Sequence, residues 1–94
     1  MAEFNELGHY LKAKRVESGY TQAELAGKLG DVHSQFVSNW ERGLCAPPSH
    51  AFQDLIAILK LSRERLVEVM LTDSQKVIES KVYKKKGKTP KKNA

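Results

Sequence analysis

The sequence predicts an all-α fold of five helices, with a short extension and a basic tail behind them. Three observations carry this. Apolar residues recur at spacings of three and four in five separate stretches. Ser, Thr or Asn stands at the head of most stretches, and Gly closes the first three. The chain is 94 residues long, enough for one small domain and no more. A core of that size is marginal, so it must pack efficiently or be shared with a second copy.

The first helix runs from about Asn5 to Ser18. Asn5 is its expected cap and Gly19 its left-handed stop. Leu7 and Leu11 mark the inward stripe, and the next position on it is Arg15, an odd place for a lone charge. The second helix starts at Thr21, whose hydroxyl and Glu24 three residues on form a capping box. Leu25 and Leu29 are its apolar stripe. Ala26 beside them is small enough for a close neighbour, and Gly30 ends it. The third helix spans about Ser34 to Arg42 and stops at Gly43. Val37, Trp40 and Glu41 lie on one side, bordered by His33 and Phe36. Gln35, Ser38, Asn39 and Arg42 point the other way, with Ser34 at the edge.

Leu44 to Pro48 reads as a loop. Ser49 is the expected cap of a fourth helix, about His50 to Lys60, with Phe52, Leu55, Ile56 and Leu59 inward. Ser62 caps a fifth, from about Arg63 to Leu71, with Leu66, Val67 and Met70 inward. Beyond Thr72-Asp73 comes a second stripe of Val77, Ile78 and Val82, either a sixth short helix or a continuation. With helix five it reads either as core or, the favoured reading in so small a chain, as a dimer surface. Three segments follow: 1–72 as the domain, 73–83 as an extension, and 84–94 as a disordered Lys-rich tail, too polar to bury a core. There is no internal repeat.

The net charge of +5 is unevenly placed. Residues 1–80 hold nine Lys/Arg against eleven Asp/Glu, a net −2, while residues 81–94 hold seven Lys and no acid. Bulk charge therefore does not argue for nucleic acid within the folded part. The tail alone reads as a non-specific phosphate anchor. The lone Cys45 cannot form an internal disulfide, and His9, His33 and His50 lack a suitably spaced second ligand, so no metal is expected. Neither a Ser/His/Asp set, a paired-carboxylate pocket nor a phosphate-cradling glycine loop is present. An enzyme is not expected, and no cofactor. No apolar run approaches the roughly 20 residues of a membrane span, and the first residues do not resemble a signal peptide. A cytoplasmic protein is expected.

Two short helices joined at a glycine turn form a helix-turn-helix, which lays its second helix in the DNA major groove. The outer face of that second helix, short amides and hydroxyls with one Arg, suits base edges: Asn and Gln pair with adenine, Arg with guanine. Arg15, Gly19-Tyr20-Thr21-Gln22-Ala23-Glu24-Leu25-Ala26, Leu29-Gly30, Val37-Ser38-Asn39-Trp40-Glu41-Arg42-Gly43 and Pro48 together resemble the Cro/lambda-repressor-like (Xre-type) helix-turn-helix family. The resemblance covers roughly residues 7–71. It implies a five-helix DNA-binding domain of a bacterial or phage transcriptional regulator, a repressor acting as a homodimer on a palindromic operator. It also implies that Thr21 and Gln22, at the start of the second helix, hold a phosphate. Ser34, Gln35 and Asn39 match base-reading positions, Ser38 and Arg42 reach nearby bases or phosphates, and Arg15 and Glu41 form a buried structural pair. The pattern departs at one point. Gly30 to Val37 is seven positions where the family usually has six, which places an extra residue at Asp31 and bears on Ser34 more than on Asn39. An adaptor that binds another protein, or an antitoxin with a toxin partner, are the alternative uses of the same fold.

Overall fold

A computed structural model of the chain describes residues 3–30 and 32–83. Asp31 and the tail from Lys84 onward, the expected extra turn residue and the expected disordered anchor, lie outside the described residues. Five helices follow one another: α1 (Asn5–Glu17), α2 (Gln22–Lys28), α3 (Ser34–Glu41), α4 (Ser49–Leu59) and α5 (Arg63–Tyr83). No helix among the described residues is long and apolar enough to cross a membrane.

α1 is the hub, packed on α3 and on α5, while α2 packs on α3. Leu7, Leu25, Leu55 and Val37 are fully enclosed, and Leu11, Ala26, Trp40, Ala51, Leu59, Leu61, Leu66 and Val69 complete the core. The inward stripes on α1, α2 and α3 lie where the periodicity puts them. Gly19 and Gly30 have φ of 83° and 94°, the left-handed conformation that favours glycine as a helix stop. Lys60 ends α4 in the same region at φ 54° with no glycine to signal it.

Four expectations are corrected. Asn5 does not cap α1: Phe4 occupies that position without a side-chain bond. The free amides at this end go instead to Asp73, whose carboxylate accepts from Glu6 N–H at 2.8 Å and from Leu7 N–H at 2.9 Å. Ser49 does not cap α4, which begins after Pro48 with no side-chain cap. Helix five does not stop near Leu71 but continues to Tyr83, so of the two readings of residues 73–83 the continuation holds and the sixth helix does not. Val67 is more than half exposed, and Val69 takes the inward place, because the buried stripe of α5 is Leu66, Val69 and Asp73.

α1 approaches α3 closely at Gly8. A Cβ there would lie 2.5 Å from the Glu41 carbonyl oxygen and 2.8 Å from that of Trp40. Both are backbone atoms at the C-terminal end of α3 and cannot rotate away. Gly8→Ala is therefore expected to destabilise the domain by about 1–3 kcal/mol, the cost of forcing atoms into a packed interior, despite alanine's better helix propensity. A thermal melt equal to or above wild type would contradict this contact.

Candidate nucleic-acid interface

α2 and α3 are positioned by one carboxylate. Glu41, the last residue of α3, accepts from Arg15 Nε at 2.6 Å and Arg15 Nη2 at 3.1 Å, a two-pronged pair in which Arg15 is 9 % and Glu41 7 % exposed. The third branch of the guanidinium, Nη1, donates to the Tyr20 carbonyl at 2.6 Å, at the entry to α2. Gln22 Nε2 donates to Glu41 Oε1 at 3.0 Å. Three helices thus converge on a single buried charge pair, and each polar atom of the pair has a partner, the condition under which buried charge is tolerated. The sequence pointed to Arg15 and Glu41 as partners; Gln22 joining them is a contact that spacing did not reveal.

The start of α2 is closed by the expected capping box. Glu24 N–H donates to Thr21 Oγ1 at 3.0 Å, and Thr21 N–H donates to Glu24 Oε1 at 2.8 Å. Thr21 is exposed and keeps its hydroxyl hydrogen free to donate outward. Gln22 is half-buried and has one amide hydrogen left after Glu41 takes the other. These two residues therefore carry outward donors where the chain turns into α2.

The outer face of α3 holds the remaining expected site residues together. Ser34, Gln35 and Arg42 are exposed; Ser38 and Asn39 are half-buried. Gln35 Nε2 donates to Asn39 Oδ1 at 2.9 Å, and Arg42 Nη2 donates to the same oxygen at 2.9 Å. This network was legible in principle, since residues i, i+4 and i+7 share a helix face. Ser34 is the first residue of the helix, with His33 at the cap position and no side-chain cap bond there. Phe36 borders the face, 49 % exposed, its ring edge-on to His33 with centroids 6.3 Å apart. Trp40 is 5 % exposed and belongs to the core, so it offers no stacking surface.

α5 carries a different surface. Val67, Leu71, Ile78 and Val82 on α5 are each more than half exposed. At about 100° per residue they fall within a stripe roughly 60° wide. It runs on from a groove lined by Phe52 and Ile56 of α4 and by Val67 and Met70.

Comparison with known proteins adds one positive finding. A family model described as helix-turn-helix matches residues 11–66, more than half of the chain. No curated protein and no solved structure matches it.

Proposed function

The chain belongs to the Cro/lambda-repressor-like (Xre-type) helix-turn-helix family of DNA-binding transcriptional regulators, and from that premise we propose that it is a sequence-specific repressor that binds a palindromic operator as a homodimer. The observation that carries the reading is the outer face of α3, where Gln35, Ser38, Asn39 and Arg42 present amide, hydroxyl and guanidinium groups on an element held rigidly by the Arg15–Glu41–Gln22 cluster. α3 enters the major groove, with Ser34 at its leading end. Thr21 and Gln22 take a phosphate that fixes the register without reading sequence.

The folded part lacks excess positive charge, so affinity depends on few phosphate contacts and on the six lysines of residues 84–94. Binding of duplex DNA is expected to weaken with salt by about 0.9 log unit per phosphate neutralised for each log unit of salt. Removing residues 84–94 is expected to lower affinity on all sequences alike and to flatten that slope. An unchanged slope would remove the tail from the interface. Failure of the full chain to bind any duplex would end the DNA reading and leave the protein adaptor.

The α5 stripe is the dimer surface in this reading. It is about 22 Å long at 1.5 Å per residue, it is apolar, and it lies apart from α3. Two copies joined there would carry two recognition helices, one for each half of an operator whose half-sites lie about 34 Å apart. Leu71→Glu with Ile78→Glu is expected to give a monomer by analytical ultracentrifugation with an unchanged helix content, because both side chains are exposed. Affinity for a palindromic site should fall by roughly 100-fold or more as avidity is lost, while a single half-site is bound as before. A variant that remains dimeric moves the interface elsewhere.

A further inference from the structure

Resting on the DNA-binding reading above, we infer that the readers of α3 are not equivalent: Gln35 takes an adenine, and Asn39 with Arg42 takes a guanine. The argument starts from Arg42. A guanidinium only donates, so the Asn39 atom that Arg42 Nη2 meets at 2.9 Å is the amide oxygen. That oxygen also receives Gln35 Nε2 at 2.9 Å. Both of its lone pairs are then used. Adenine recognition by an amide needs an acceptor for the N6 amino group beside a donor for N7. Asn39 has no acceptor left. It presents only the two hydrogens of Nδ2, and the remaining Arg42 donors lie beside them.

A donor-only surface fits the base edge that carries acceptors only. In the major groove that edge is guanine, with O6 and N7 side by side. Gln35 is left in the opposite condition. One Nε2 hydrogen is committed to Asn39, but Oε1 and the second hydrogen remain, so unlike Asn39 it keeps both an acceptor and a donor, the two groups that adenine N6 and N7 require. Its hold on Asn39 also fixes which way the amide faces. Gln35 to Arg42 spans roughly 10 Å along the helix, so the two bases lie within about three base-pair steps of one another.

Selection of bound duplexes from a randomised pool, using the full chain, Gln35→Ala and Asn39→Asp, tests this. Aspartate keeps oxygens to hold Gln35 and Arg42 but turns an acceptor toward the base. The wild type is expected to enrich a site with an adenine and a guanine in each half. Gln35→Ala should lose the adenine preference by roughly 5- to 150-fold, the range for a bidentate pair. Asn39→Asp should shift the guanine position toward cytosine, whose N4 amino group donates. Adenine preference lost in Asn39→Asp but kept in Gln35→Ala overturns the assignment. So does an enriched site that neither variant alters, and in both cases DNA binding itself stands. Enrichment of no sequence by the wild type removes the DNA reading and this inference together.

Discussion

Glu41→Ala is expected to bring the domain close to unfolding at room temperature. The substitution strands the Arg15 guanidinium, 9 % exposed, without its two-pronged partner, and Gln22 loses the acceptor for its amide. Breaking a buried pair from one side costs about 3–5 kcal/mol, against the roughly 5–15 kcal/mol that holds such a domain together. The melting midpoint, read by circular dichroism, should fall by on the order of 20 °C. Glu41→Gln should be intermediate, since it accepts hydrogen bonds without the charge. The informative control is Arg15→Met with Glu41→Leu. Replacing both charges with apolar groups removes the stranded cation, so the double variant should be more stable than Glu41→Ala alone. A Glu41→Ala melt within about 0.5 kcal/mol of wild type, the range of an ordinary surface change, would show that the pair is not what holds the three helices.

The burial of each member of that pair was visible in the sequence because its logic is local. Arg15 follows Leu7 and Leu11 at spacings of four, and Glu41 follows Val37 and Trp40 on the inward side of α3. Periodicity places both charges inside, and the resemblance to the helix-turn-helix family implied that they pair. The Thr21–Glu24 capping box and the Ser62 cap, which takes Arg65 N–H at 3.1 Å, are local in the same sense. The outer face of α3 is the complement of its inner stripe, so the candidate readers were legible for the same reason.

What escaped the sequence depends on distant partners. Thr72-Asp73 resembles a helix stop because short polar side chains compete for nearby backbone groups. Here neither does so disruptively. Thr72 Oγ1 donates back to the Glu68 carbonyl at 3.0 Å within the helix, and the Asp73 carboxylate is occupied by α1. With both side chains engaged, α5 runs on to Tyr83. The same long-range contact explains why Asn5 is not needed as a cap. Gly8 gave no signal either, because a close approach of α1 to the end of α3 is a property of packing, not of spacing.

Asp73→Ala is the second large effect. Asp73 is 3 % exposed and serves as the N-terminal cap of a helix 66 and 67 residues away in sequence. Its carboxylate meets the positive end of α1, where a negative charge is favoured. Hydrogen bonds to a charged group contribute about 1.5–3 kcal/mol each, but the Glu6 amide is half-buried and water replaces part of that loss. A destabilisation of about 2–4 kcal/mol is expected, several times that of an exposed cap. Asp73→Asn, which keeps one amide oxygen as acceptor, should lose less. The effect should also be regional. Beyond Asp73, α5 meets the start of α1 through the half-buried Val77 and the exposed Lys76–Glu6 bridge at 3.2 Å, and such surface pairs contribute about 0–1 kcal/mol. Amide hydrogen exchange in residues 74–83 should therefore accelerate in Asp73→Ala more than in α2 or α3. Ile78 and Val82 lie in that segment, so a dimer formed on the stripe should weaken with it even where α3 keeps its shape. Unaltered exchange in 74–83 together with a wild-type melt would mean that α5 is held against α1 by its apolar residues alone.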